Sequence, residues 1–184
     1  MIEVRPAAEA DFPALTRLDL TYPTDRYLEV ARSGESPELT FALRWRTRHP
    51  AHQAAVYANP TVDWLRQAAP RADLFLVALA DAEPAGYLIA VVPSWTDAAE
   101  ITDLAVDNAH RWLGAGSALV RRAAQWAAER SYRALWTEPR ADNYDAVAFY
   151  TSLGFRLAGF NDRFYSNRDH EAGRVTLFMY LELG

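Results

Sequence analysis

The stretch from Glu100 to Gln125, EITDLAVDNAHRWLGAGSALVRRAAQ, limits the folds open to this chain more than any other. Glu100 to Val106 alternates and carries β-branched Ile101, Thr102 and Val106, which predicts a strand. Asp107 to Arg111 reads as a polar turn. From Gly114 a helix is expected, because Ala118, Leu119, Val120, Ala123, Ala124, Trp126 and Ala127 recur at helical spacing with no proline between them. Gly114 and Gly116 stand where that helix starts. Glycine lets backbone approach a ligand and accepts positive φ. The first turn of a helix offers N–H groups without partners at the positive end of the dipole. Such a unit can cradle a phosphate or pyrophosphate, or it can be a tight turn with no ligand. It is neither G-x-G-x-x-G nor a Walker loop, since no Gly-Lys-Ser/Thr follows.

Composition narrows the chemistry. With 184 residues the expectation is a single domain over residues 1–184, large enough to bury a core. The absence of cysteine excludes disulfides, a thiol nucleophile and thiolate metal sites. Catalysis must then draw on carboxylate, tyrosine, histidine or backbone groups. The net charge of −5 fits a nucleic-acid partner poorly and a cationic substrate better. No apolar run is long enough to span a bilayer, and MIEVRP lacks the basic-then-apolar plan of a secretory signal. A cytoplasmic protein without a membrane partner is expected.

Along the rest of the chain, Ile2 to Arg5 predicts a strand and Glu9 to Leu20 a helix with Phe12, Leu15 and Leu18 on one face. Leu39, Phe41, Leu43 and Trp45 alternate with Thr40, Ala42, Arg44, Arg46 and Arg48, which predicts a strand with one apolar and one basic face. Asn59-Pro60-Thr61 starts a helix running to about Ala69, with Val62 and Leu65 buried. His49 and His52 have no carboxylate or thiolate partners in view, so no metal site is expected. Asp73 to Ala80 and Ala85 to Val92 form a hairpin, with Gly86 as a bulge or point of close approach. Tyr132 to Glu138 is a strand. Asp142 to Ser152 is a helix with Ala146, Phe149, Tyr150 and Leu153 on one face, closed by Gly154. Phe155 to Phe160 and Val175 to Leu183 are the last strands, separated by the polar run Asn161 to Gly173.

Two motifs then carry a resemblance. Leu104-Ala105-Val106 followed by Arg111-x-x-Gly114-x-Gly116 resembles the acetyl-CoA-binding signature of the GNAT N-acetyltransferase superfamily, an apolar strand end and R/Q-x-x-G-x-G/A. Asn143-x-x-Ala146-x-x-Phe149-Tyr150-x-x-x-Gly154-Phe155 resembles its second signature, N-x-x-A-x-x-x-Y-x-x-x-G-F. Both occur in the superfamily's order. Trp95, Ile101-x-Asp103-Leu104-x-Val106-Asp107, Trp126-Ala127, Glu138, Gly159-Phe160 and Tyr165 are most similar to the streptothricin acetyltransferase branch. The chain departs from that branch at Thr102, at Pro139-Arg140 and at Asn161-Asp162, positions expected to line the acceptor site.

The resemblance implies an α/β (α+β) fold, with a mixed, mostly antiparallel central sheet flanked by helices. It implies acetyl-CoA as co-substrate, with no metal. The pantetheine arm would add like a strand to the backbone of Leu104, Ala105 and Val106. The pyrophosphate would meet backbone N–H groups of Trp112, Leu113, Gly114, Ala115, Gly116 and Ser117, with Arg111 adding charge or only fixing the turn. Asn143 would hydrogen-bond the pantetheine or simply cap its helix. Tyr150 would protonate the leaving thiolate, its phenol pKa of about 10 suiting that task. Glu100 is the base candidate for the amine, with Asp103 and Glu138 as rivals, directly or through water; the alternatives are a strand-end salt bridge at Glu100 and no dedicated base beyond water. The basic strand face around Arg44 and Arg46 would be either solvated or in contact with the 3′-phosphate of coenzyme A or an acidic substrate group. Asp162, Asp169 and Glu171, in the Asn161–Gly173 run, would close over the acceptor opening. Arg140, Arg163 and Arg168 argue for an acidic or zwitterionic acceptor instead.

The expected reaction is acetyl transfer to a primary amine of a small, cationic, streptothricin-like acceptor by direct attack in a ternary complex. The alternatives are an acyl-CoA sensor without turnover and a protein or peptide N-acetyltransferase. GNAT relatives are often dimers, which brings a homodimer into view.

Overall fold

The structure, a computed structural model, describes residues 1–23, 25–35, 37–47, 53–55, 59–169 and 175–184. Its elements in chain order begin with β1 (Ile2–Pro6), α1 (Phe12–Leu15), β2 (Thr21–Pro23), β3 (Arg26–Ser33), β4 (Thr40–Thr47), β5 (Gln53–Ala55) and α2 (Val62–Ala68). They continue with β6 (Leu74–Ala80), β7 (Glu83–Val91), β8 (Ala98–Val106), α3 (Ala115–Glu129), β9 (Ala134–Thr137), α4 (Tyr144–Ser152), β10 (Arg156–Asn161) and β11 (Thr176–Glu182). His49, His52, Arg48 and Glu171, which the sequence singled out, lie outside the described residues.

The chain divides into two compact units. The first comprises Met1–Thr21, Ala55–Thr137 and Tyr180–Gly184. Its strands run in the order β1-β6-β7-β8-β9 and end on the last residues of β11. The pairs β1–β6, β6–β7 and β7–β8 are antiparallel, and β8–β9 is parallel. On one face, Phe12, Leu15, Leu18, Leu20 and Leu65 pack with Val77, Leu79, Tyr87 and Ile89 into one buried cluster. α3 covers the alternate residues of the other face with Leu119, Val120, Ala123 and Ala127, all buried. The β6–β7 hairpin turns on Asp81 and Ala82 alone, both at positive φ, and Glu83 and Pro84 already belong to β7. Gly86 is a close-approach point: a Cβ there would stand 2.6 Å from Ala105 O.

The helix expected over 9–20 is much shorter. A 3-10 turn at Glu9–Asp11 leads into α1, which stops at Leu15. Side chains offer the backbone better partners than a further turn would. Asp19 accepts from Thr21 N and its hydroxyl at 3.0 and 2.7 Å, and the Asn59 amide donates to Thr16 O and Leu18 O at 3.0 and 2.8 Å. Before the turn, Asp11 accepts from Ala8 N at 2.8 Å and takes a two-pronged bond from Arg5 at 2.7 and 2.8 Å.

The second unit comprises Tyr22–Ala54 and Glu138–Met179. β3 and β4 pair as an antiparallel hairpin from Arg26↔Thr47 to Ser33↔Thr40. α4 lies here, and β10 neighbours β11. Leu28 N donates to Ala141 O at 2.9 Å, and the Trp45 and Tyr144 rings meet edge to face at 4.8 Å. No helix among the described residues is long and apolar enough to cross a membrane.

Candidate active site

The pairing of β8 with β9 ends before Leu104. β8 pairs with β9 only from Ala98↔Ala134 to Ile101↔Thr137. Its other edge stays with β7 as far as Gly86↔Val106. Among the described residues of the first unit, the β9-side backbone of Leu104, Ala105 and Val106 therefore has no strand beside it. An extended amide chain can add there as a strand would.

The turn after β8 is braced from within the same unit. Asp107 accepts from Asp19 N and from Ala109 N, both at 2.9 Å. Asn108 N donates to Asp19 O at 2.8 Å. The Arg111 guanidinium donates to Thr21 O at 2.5 Å and to Val106 O at 3.4 Å, so its side chain fixes the turn. Trp112 has φ +66°, a left-handed conformation in a non-glycine residue, and is 78% exposed beside exposed Leu113. Gly114 is the N-cap of α3 at φ +95°, and a Cβ there would meet nothing, so it is conformation that favours glycine. Ala118 N bonds back to Gly114 O at 2.9 Å, which leaves the N–H groups of Ala115, Gly116 and Ser117 as the open first turn. No side chain caps that turn, and no acidic residue lies in it. The open first turn thus offers oriented donors without a competing carboxylate, which is what an anion would require of it.

Glu100 and Asp103 lie on β8 just before the open edge. Three residues apart, they would point to opposite faces of a regular strand. The β7–β8 register passes from Ile89↔Asp103 to Ala90↔Ile101, so Thr102 is an extra, bulged residue. Glu100 stands opposite Val91 and Asp103 opposite Ile89, so the two carboxylates share one face. Both carboxyls are held above their ordinary values, chiefly by burial; the Asp103 charge adds to the rise at Glu100, and Thr102 partly offsets it at Asp103. Trp136, the parallel neighbour of Glu100, stacks on Tyr180 at 5.6 Å, and exposed Trp95 tilts against Trp136 at 6.5 Å. Sequence reading missed both the bulge and the ring stack. The one signal was the odd spacing of two carboxylates in an otherwise regular strand.

The second unit holds Asn143, Tyr150 and Glu138. Asn143 caps α4, its Oδ1 accepting from Ala146 N at 3.1 Å, so the alternative capping role is real. Tyr150 is buried, with Phe149 and Phe155 rings at 5.2 and 5.1 Å. Glu138 is half-buried. Arg140 is bound to Asp142 by a short two-pronged ion pair, so it is a neutralised group rather than a bare cation. Arg46 donates to Glu29 across the β3–β4 hairpin at 2.9 Å, as a solvated strand face would. Asp169 does not serve a closing segment with its charge: it is buried and accepts from Tyr165 N, Ser166 N and the Ser166 hydroxyl at 2.6–2.8 Å. Among the described residues no cluster of three or more His, Asp or Glu could hold a metal ion.

The model of the acetyltransferase (GNAT) family matches residues 38–155. Streptothricin acetyltransferase of Streptomyces lavendulae is 30% identical over 183 residues, 96% of this chain and 93% of that one. The chain belongs to the GNAT acetyltransferase family. It is an acetyl-CoA-dependent N-acetyltransferase. The crystal structure of nourseothricin acetyltransferase is 25% identical to this GNAT enzyme, with a TM-score of 0.82 over 100% of this chain and 99% of that one. The ribosomal protein bS18-alanine N-acetyltransferase of Escherichia coli K12 is 36% identical over 87 residues, 47% of this chain and 59% of that one. The mostly antiparallel sheet with flanking helices is thus as the resemblance implied.

Proposed function

We propose that this GNAT enzyme acetylates a primary amine of a small cationic acceptor of the streptothricin type. The observation that carries the reading is the pair of half-buried carboxylates that the Thr102 bulge turns to one face, next to the open edge of β8. It is supported by end-to-end similarity to a streptothricin acetyltransferase. The neutral amine attacks the thioester carbonyl carbon while Glu100, directly or through water, takes a proton from nitrogen. Burial raises the basicity of that carboxylate, which brings it closer to the task. The tetrahedral intermediate collapses with cleavage of the C–S bond, and Tyr150 gives its phenolic proton to the departing thiolate. Water returns the proton to Tyr150. No acyl-enzyme forms, in keeping with a chain without cysteine. A cytoplasmic setting belongs to the same proposal, as does the amide of Asn143 as a pantetheine contact.

The test is release of coenzyme A thiol from acetyl-CoA across streptothricin-like, aminoglycoside, polyamine, amino-acid and peptide amines. The highest kcat/KM is expected for a small polycation. A peptide N-terminus as best substrate would instead support the reading that the partial likeness to the bS18-alanine enzyme favours.

A further inference from the structure

A cavity of about 200 Å³ opens on the carboxylate face of the first unit, between α2 and strands β7 and β8. Trp64, Gln67 and Arg71 recur along one stripe of the helix and its extension and form one wall. Ile89 and Val91 form the sheet-side wall with Thr102 and Asp103. Asp103 reaches this wall because Thr102 is bulged; in a regular strand it would share the face of buried Ile101.

The lining defines an occupant. The space is below the several hundred Å³ that holds a whole drug-sized ligand, so it takes an arm. Ile89, Val91 and the Trp64 ring suit methylenes, and the ring face also attracts a cation. The Asp103 carboxylate suits an ammonium at the end of that arm. Gln67 and the exposed Arg71 offer N–H donors to an oxygen on the same arm.

We infer that this cavity is a specificity pocket for a second, non-reacting ammonium of the acceptor, carried on a short aminoalkyl chain that bears a carbonyl or hydroxyl group. Asp103 anchors that ammonium and Trp64 walls its chain, which leaves the proton transfer to Glu100. The inference rests on the proposed function for the identity of the acceptor, but the pocket can be read without turnover.

Lysinamide and norleucinamide make the test. They share the α-amine, the carbonyl and the chain, and only lysinamide ends in a second ammonium. Wild type is expected to prefer lysinamide by at least ~10-fold in kcat/KM, the scale of one anchored charge. In Asp103→Asn that ratio should fall toward one through a higher KM for lysinamide. Trp64→Ala, at an exposed position, should shrink the ratio in the same direction, which guards against a folding defect in the first variant. An undiminished ratio in Asp103→Asn overturns the pocket. So does an equal drop in kcat for both amides, which would make Asp103 the base. Equilibrium binding of both amides to the coenzyme A-loaded enzyme separates this inference from the proposed function. Tighter lysinamide binding without acetylation of any amine would sink the function and keep the pocket. Equal binding of the two sinks the pocket.

Discussion

At the scale of single residues, the phosphate cradle makes a sharp prediction because two effects have opposite signs. The first turn of α3 now contains no acidic residue. Gly116→Asp would place a carboxylate there, where it interacts favourably with the helix dipole by about 0.3–1 kcal/mol. The same charge would repel a pyrophosphate. The variant is expected to stay folded and lose acetyl-CoA affinity, as read by calorimetric titration beside a thermal melt. Unchanged affinity would remove the cradle from residues 114–117. Tyr150 packs against the Phe149 and Phe155 rings, so Tyr150→Phe keeps the ring contacts and removes the hydroxyl. Its kcat should fall at least ~10²-fold where chemistry limits the rate. A near-normal kcat would mean that the ring only packs. Asp103 offers a test by pH. Burial raises its folded pKa, so the folded state binds this proton more tightly than the unfolded chain does. The stabilisation linked to it is complete below the ordinary carboxylate range and is lost as pH rises through the raised value. Asp103→Asn should therefore melt higher than wild type at about pH 8 and converge with it near pH 4. A constant offset across that range would contradict the assigned shift.

At the scale of elements, the parts with strong local signals were legible and the parts set by distant partners were not. The β8–turn–α3 unit and the β6–β7 hairpin follow from alternation, glycines and turn residues lying within a few positions of one another. The Thr61 cap of α2 and the Gly154 stop of α4 are equally local. The sequence overextended the helix at 9–20 because its apolar spacing continues to Leu18, whereas Asn59 takes two of its carbonyls from far along the chain. The β3 partner of the basic strand went unread, since Arg26–Ser33 is interrupted by the charges of Arg26, Glu29 and Arg32 and buries only Leu28 deeply. The bulge at Thr102 went unread because register is a property of two strands, and it decides where the carboxylates point. Of the candidate site, the strand–turn–helix unit expected to hold acetyl-CoA was legible in short motifs. The cavity proposed for the acceptor was not, because Trp64, Gln67 and Arg71 come together with Asp103 only through the tertiary fold. α4 carries a prediction at this scale. Asn143 caps it with Oδ1, and its amide N–H groups are the donors proposed for pantetheine. Asn143→Asp keeps a capping oxygen and removes those donors, so Tm should hold while KM for acetyl-CoA rises. Asn143→Ala should in addition cost about 1 kcal/mol of stability. An aspartate variant with unchanged KM would reduce Asn143 to a cap.

At the scale of the whole molecule, charge offers a test between the acceptor classes. The chain carries a net charge of −5, and its carboxylates at Glu100 and Asp103 are buried enough to resist full screening. Three arginines seemed to argue for an acidic acceptor. Two of them have carboxylates beside them: Arg140 is locked to Asp142, and Arg163 lies 4.0 Å from Asp162. If the proposed cationic acceptor is right, the net charge and the two carboxylates of the first unit should steer its association. Raising ionic strength from about 0.01 to 0.15 M shortens the Debye length from roughly 30 to 8 Å. Over that range kcat/KM for a polycationic acceptor should fall several-fold, with the loss mainly in the association step. A zwitterionic amino acid of similar size should show little change. The comparison is made at fixed saturating acetyl-CoA, so that salt effects on the pyrophosphate do not enter. If instead an acidic amino acid is the best acceptor and is the one weakened by salt, the field at the site is positive and the cationic assignment is wrong.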